Sequence, residues 1–521
     1  MSAHRQAAWG LLLALGCCGG PGGGTDASSL EEVAPKERQA RVYLHDPKSD
    51  DRNLTEVSLP LPTSADGALT NGAADVQNCL PEPGGPSMGD GIFFCHERQV
   101  ARPRVEGHYL HIRPPTYDND PTDSFAEVMA YHHVNRIHDY YRDAQGLELR
   151  DHPIRTLVNV QVNQPGGAGW VPLPNALYLP PESFEELGIE GRPEEALLFG
   201  HYEFVDFSYD ASVIYHEYTH AVLGPDRLSE AGLDRFGLDL SPGSLNEGLA
   251  DYFAASVLDR PLIGTYALLL DELVLSRDLT RPHHCPDDLY GEAHLDGRIV
   301  ASALWSLRQV LGAPTTDAMV MDAIAGLGAS SGFEAFGQLV VAAARERGAE
   351  VESRVLATLT EYGVLGCERV RPWVPFDSET DLELTPYALP GLLSGPGEEL
   401  DDGAPGYFQW SIDLLPSTAA VRLEYRGEAS DVDILLRREV PVEFGLALGG
   451  PLLADARLRT VWDPATGVTV VTISGDCLAA KNRRLYLLFL NRAEEDGYLE
   501  RMDIAQLDAV PQDSLGGATC Q

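Results

Sequence analysis

The chain of 521 residues carries 79 Asp and Glu against 38 Lys and Arg, a formal net charge of −41. That balance excludes binding to nucleic acid or to an anionic membrane surface through bulk charge. An apolar fraction of 44% excludes wholesale disorder, and the length allows several domains with sizeable cores. Solubility is the plain reading of the acidity, with Ca2+ loops as the alternative, because clustered carboxylates are that ion's preferred ligands.

At the amino terminus, His4 and Arg5 precede a short apolar run from Ala7 to Leu15, the pattern of an export signal. Ala14-Leu15-Gly16-Cys17 resembles a bacterial lipobox, with Cys17 as the lipidated residue; ordinary cleavage without lipid is the alternative. Nothing further along has the ~18 consecutive apolar residues of a membrane span. The expectation is an exported protein, secreted or anchored at the bacterial envelope as a lipoprotein, touching membrane only through that anchor. Residues 1–24 are read as signal and glycine-rich tether, and 25–115 as a turn-rich β region, part of the following domain's first lobe, or a propeptide remnant. Six cysteines follow the signal, an even number that suggests disulfides. Proximity favours Cys79–Cys95, Cys285–Cys367 and Cys477–Cys520, with free buried thiols as the alternative.

A helix is expected from Asp123 to Gln145; its His132, His133 and His138 are not spaced i, i+4 and read as packing or surface residues. Leu157 to Val162 alternates as a strand, and Pro174 to Tyr178 reads as an edge segment. A second helix begins at Asp210, a good N-cap, and stops at Gly224-Pro225. Helices are expected over Arg298–Leu311, Asp317–Leu327, Phe333–Arg347 and Glu352–Tyr362. His283 and His284 beside Cys285 read as a turn near a disulfide. After Cys367 short strands with Gly/Pro turns indicate an antiparallel β-sandwich over 376–521. Its Ser430-Asp-Val-Asp-Ile-Leu435 and Tyr486-Leu-Leu-Phe-Leu490 resemble the sandwich that follows the catalytic domains of many secreted bacterial peptidases.

The chemistry concentrates in His216-Glu217-Tyr218-Thr219-His220 and Asn246-Glu247-Gly248-Leu249-Ala250-Asp251. On a helix, His216 and His220 lie one turn apart on one face, so both imidazoles can reach one cation. A catalytic zinc keeps three protein ligands and a water, and Glu217 would stand beside that open position as general base. Glu247 is the candidate third ligand. Its rival reading is a capping box with Ser244. Against capping, Asp251 follows Glu247 at i+4, placed to accept the second N–H of a zinc-bound imidazole.

These paired motifs resemble those of the gluzincin zinc metallopeptidases of the thermolysin and fungalysin type. The resemblance implies zinc ligands at His216, His220 and Glu247, Glu217 as base, and supporting roles for Asn246 and Asp251. It implies an α+β fold over 116–367: a β-rich first lobe, the zinc helix in the cleft and a helical second lobe. Glu292-Ala-His294-Leu-Asp-Gly297 resembles the segment bearing the family's second catalytic histidine, here His294. Asn175 and Ala176 match the edge segment on which such enzymes dock substrate backbone. The interval from His220 to Glu247 is longer than in thermolysin and closer to fungalysin, and no tyrosine within it matches the one that assists thermolysin's oxyanion. The expectation is a Zn2+ endopeptidase acting on proteins or peptides. The alternatives are an inactive, zinc-stabilised cell-surface binding protein and an exopeptidase of the same clan.

Overall fold

The computed structural model describes residues 38–511 except 61–66, 83–84, 86–92, 105–106, 148–151, 165–168, 187–193, 226, 230, 269–276, 374–386, 390–403, 428–431, 446–450, 461–466 and 493–496. The expected signal, Cys17 and Cys520 lie outside the described residues. Among those residues no helix is long and apolar enough to cross a membrane.

The architecture mixes several sheets with eight α-helices among the described residues. A five-stranded sheet carries, in order, His96–Arg98, Ala74–Leu80, Ile154–Val158, Ala196–Phe199 and Ala176–Leu179. The inner three strands run parallel and the outer two pair antiparallel, so Ala176–Leu179 forms an edge. Ala74–Leu80 and His96–Arg98 thus pair into the same sheet as Ile154–Val158. The strand expected over 157–162 is broken. Asn159, at φ 56, turns the chain from this sheet into a second one through Gln161–Gln164. Asparagine tolerates that left-handed conformation, and its amide is buried against Asn78 Oδ1 at 3.1 Å and the Asp123 carbonyl at 3.1 Å.

Helix α1 (Ser124–Asp139) starts where Asp123 caps the amides of Phe125 and Ala126, and it continues into a wider turn over Tyr140–Ala144. It is buried along nearly its whole length because one flank meets the sheet and the other meets α3 (Ala211–Leu223). Its histidines are packing residues, as expected. His133 donates Nε2–H to the Tyr43 carbonyl and accepts from Tyr215 Oη at 2.8 Å, while burial holds its pKa well below the ordinary value. Helix α2 (Pro181–Glu186) follows the edge strand.

The remaining helices are α4 (Ser241–Leu258), α5 (Ala293–Leu311), α6 (Ala313–Ile324), α7 (Phe333–Glu346) and α8 (Ala349–Glu361). Helix α7 begins at Phe333 as expected, while α5, α6 and α8 begin before their sequence-based starts, α5 by enough to include His294. Cys79–Cys95 and Cys285–Cys367 are joined, and Cys477 is also disulfide-bonded.

Beyond α8 two sheets face each other. One orders Val370–Pro372, Gln409–Asp413, Arg484–Asn491, Val432–Arg438 and Ala456–Arg459; the other orders Tyr387–Leu389, Gly497–Leu507, Ala420–Gly427 and Val468–Ser474. Tyr425 of the second meets Phe489 of the first edge-on at 5.6 Å. The expectation of a wholly antiparallel sandwich starting at 376 needs one correction. Val370–Pro372 joins the sheet earlier and pairs parallel to Gln409–Asp413. One contiguous buried cluster runs from α1 through α3, α4 and α5 into Tyr407, Trp410 and Phe489.

Candidate metal centre

Helix α3 is fixed from behind. His138 Nδ1 meets Tyr218 Oη at 2.9 Å and Tyr141 Oη meets Thr219 Oγ1 at 2.8 Å, beside the His133–Tyr215 contact. Its first turn is held by Asp210, which accepts from Ser212 N at 3.0 Å and, through its other oxygen, from Tyr266 N and Ala267 N. With one face committed to α1, the opposite face turns His216, Glu217 and His220 toward a cavity of about 480 Å³.

Helix α4 supplies the rest. It begins at Ser241, so Ser244 sits inside the helix with Oγ on the Leu240 carbonyl at 3.0 Å. The capping-box reading of Ser244 and Glu247 is therefore overturned: Glu247 lies in the second turn, where amides already have helical partners. His216 Nε2 is 3.1 Å from Glu247 Oε2, His220 Nε2 is 3.6 Å from Glu247 Oε1, and the two Nε2 atoms are 3.0 Å apart. On the outer nitrogens, His216 Nδ1 meets Asp251 Oδ1 at 2.9 Å and His220 Nδ1 meets Asn246 Oδ1 at 3.0 Å. Both oxygens are acceptors, so each Nδ1 bears a hydrogen, which leaves each Nε2 as the nitrogen that would meet a cation.

This donor set fits a divalent cation. Two imidazole nitrogens and a carboxylate face one another, and one atom from each residue lies within 4.8 Å of the others. Tetrahedral ligands ~2.0–2.1 Å from zinc stand roughly 3.3–3.4 Å apart, within the range of separations found here. Glu247 Oε2 is buried and makes no hydrogen bond among the described residues, although two imidazoles flank it. With imidazole nitrogens at 3.1 and 3.3 Å but no well-directed hydrogen bond, that buried oxygen favours a cation beside it. The electrostatics agree. Burial opposes charging of His216, but Asp251 and Glu247 outweigh it and raise its pKa to about 10. Burial likewise pushes Glu247 up, yet His220, His294 and His216 hold it well below the ordinary carboxylate range. The pocket is built to hold positive charge between its rings.

Glu217 lines the same cavity and receives the backbone N–H of Tyr178 on Oε2 at 2.8 Å. His294, in the first turn of α5, holds its Nδ1 2.7 Å from Glu292 Oε1 and its Nε2 3.3 Å from Glu247 Oε2. It belongs to a helix, and its side chain is 46% exposed. Glu292 is the N-cap of α5 and accepts Leu295 N at 2.8 Å, so one carboxylate starts the helix and orients the imidazole. Burial works against the charge of His294, but Glu247 and Glu292 raise its pKa. Asn175 and Ala176 line the cavity, with Asn175 Oδ1 accepting the Ala176 amide at 2.9 Å. Thus the nine residues singled out from the sequence all border this cavity or bond to residues that do.

Three participants were missed. Arg277 lines the cavity and pairs its Nε with Asp251 Oδ2 at 2.6 Å, which keeps Asp251 ionised against burial. Glu292 stands two residues before His294, a spacing that could have flagged it. Tyr178 acts through its backbone, which side-chain chemistry does not advertise. His283 and His284 hold no second cluster among the described residues: His284 packs on Tyr362 at 5.1 Å between ring centres.

No family model and no curated protein matches this chain. Among solved structures it is similar to the precursor of protealysin, a metalloproteinase from Serratia proteamaculans, at 18% identity and a TM-score of 0.32, over 46% of this chain and 78% of that one. So slight a likeness decides nothing, and the functional argument rests on the site.

Proposed function

We propose that the protein is a zinc-dependent endopeptidase of gluzincin type, with the two-lobed thermolysin-like arrangement around the cleft. The observation that carries this is the convergence of His216, His220 and Glu247 on one point in a cavity that Glu217 also lines. A zinc ion there would supply a Lewis acid for the scissile carbonyl and a water of lowered pKa. Glu217 is the general base. With Oε2 held by Tyr178 N–H, its Oε1 remains to take a proton from the attacking water and return it to the leaving amine. His294, oriented by Glu292, donates Nε2–H to the oxygen that gains charge as the carbonyl is attacked. Asp251 and Asn246 fix the ligand imidazoles, and Arg277 fixes Asp251. The backbone of Asn175 and Ala176, at the sheet edge, docks an extended peptide by strand addition.

Export, with anchoring through Cys17, belongs to the same proposal and is supported by the N-terminal sequence and the disulfides. The deciding experiment is metal analysis of the purified protein together with an internally quenched peptide blocked at both ends, assayed with and without chelator. Cleavage lost on chelation and restored by zinc supports the endopeptidase. Cleavage only of free-ended peptides redirects it to an exopeptidase. Stoichiometric zinc without cleavage of either leaves a zinc-stabilised binding protein.

A further inference from the structure

The interval between His220 and Glu247 contains a small hairpin, Gly232–Asp234 paired with Gly237–Asp239, immediately before α4. Its partner is the sandwich. Arg369, at the mouth of Val370–Pro372, is 6% exposed and spans the hairpin's two strands: Nη2 to Asp234 Oδ1 at 2.7 Å, Nη1 to Asp239 Oδ1 at 2.9 Å and Nη2 to the Leu238 carbonyl at 2.9 Å. Its Nε returns to the sandwich through the Tyr407 carbonyl at 2.9 Å. The hairpin turn is closed down on the sandwich as well, since Phe444 N donates to the Arg235 carbonyl at 2.8 Å and a Cβ on Gly237 would lie 2.9 Å from Pro405. Asp239 then passes the constraint on, accepting Ser241 N at 3.0 Å at the start of α4. Two residues past Arg369, Arg371 donates Nη1 to the Leu289 carbonyl at 2.8 Å. Leu289 opens the short segment that ends in Glu292 and His294, itself held by Asp296 on Tyr290 N at 2.6 Å and Gly291 N at 3.0 Å.

We infer that the β-sandwich is part of the metal centre's scaffold: Arg369 and Arg371 clamp the two segments that deliver Glu247 and His294. A merely appended module would need contact with the outer surface of the helices. Here a buried guanidinium fork, satisfied on every side, reaches the hairpin that launches α4, and its neighbour reaches the loop that launches α5. Arg369 and Arg371 are positioning residues, acting through main chain and never on substrate. A lysine cannot reproduce the fork of Arg369. The inference rests on the peptidase reading for its catalytic consequence, but the clamp itself is a statement about structure.

The test uses the full chain carrying Arg371→Ala, Arg369→Lys or Arg369→Ala, followed by amide hydrogen exchange, zinc affinity by chelator competition, and kcat and KM on the quenched peptide. Arg371→Ala, which removes the bond to the Leu289 carbonyl and the guanidinium's contacts over Phe408 and Trp410, is expected to speed exchange in 289–296 by about tenfold and to lower kcat by about tenfold with zinc affinity and KM retained. Arg369→Ala is expected to weaken zinc by about tenfold, with Arg369→Lys between it and wild type. Unchanged exchange in 289–296 overturns the clamp. Faster exchange with wild-type kcat overturns its role in positioning. If wild type neither binds zinc nor cleaves peptide, the peptidase reading fails, and the exchange result still decides whether the clamp exists.

Discussion

The backbone amide of Tyr178 lies 2.8 Å from Glu217 Oε2, so the sheet edge that borders the cavity also holds the carboxylate of α3. Because the donor is main chain, no substitution at position 178 other than proline removes it. Glu217→Gln keeps an oxygen for this amide but loses the base. The expected outcome is full zinc content and kcat reduced by ~10²–10⁴, read by metal analysis beside single-turnover kinetics. Wild-type turnover would exclude the assigned base.

Asp251 joins two charges, His216 Nδ1 at 2.9 Å and Arg277 Nε at 2.6 Å. Asp251→Ala leaves both partners buried and frees the His216 ring. Zinc affinity should fall ~10–100-fold, measured by competition with a chromophoric chelator. Asp251→Asn, which keeps an acceptor but drops the charge, should fall between the two.

Helices α4 and α5 meet through two glycines. A Cβ on Gly248 would lie 2.4 Å from the Gly297 carbonyl oxygen, and one on Gly297 would lie 2.8 Å from the Ser244 carbonyl and 3.2 Å from Glu247 Cβ. Backbone cannot yield as a flexible side chain can, so Gly297→Ala must drive the helices apart and carry Glu247 from His294. Denaturant unfolding should show a loss of ~1–3 kcal/mol, together with reduced kcat. An unchanged midpoint and rate would mean that the crossing adjusts freely.

Glu127 is buried beneath the loop at Val100 and Ala101, and burial raises its pKa from 4.5 to about 8 despite hydrogen bonds from Asn78, Val100 and Ala101. A carboxyl whose folded pKa lies above its unfolded value binds more protons when folded. Its contribution is therefore complete below about pH 4.5 and is lost as pH rises toward 8. Relative to Glu127→Gln, which does not titrate, wild type should lose ~3–5 kcal/mol of advantage across that window. Urea unfolding of both proteins at several pH values measures it. A constant difference would place the charge in a better solvated site.

The metal centre was largely legible because its determinants are local. The i, i+4 spacing of His216 and His220, the N-cap Asp210 and the stop at Gly224 all lie within one helix. Glu247 and Asp251 were legible for the same reason, although the capping-box reading misplaced the start of α4; Pro242 in the first turn was the better signal. What remained hidden depends on long-range pairing. Arg277 comes from a two-residue strand, and Arg369 meets a hairpin more than a hundred residues earlier. The break at Asn159 was concealed because apolar alternation continues across it, while the left-handed turn is dictated by the buried Asn78 and Asp123 partners. No residue-level pattern reports which strand an arginine will cross.

The Cys285–Cys367 bridge closes a loop of 82 residues that contains α5 through α8. Under the proposed peptidase reading this has a practical result. A single autolytic nick anywhere inside that loop leaves both pieces tethered, so the molecule keeps its apparent mass on a gel until a thiol reagent separates the fragments.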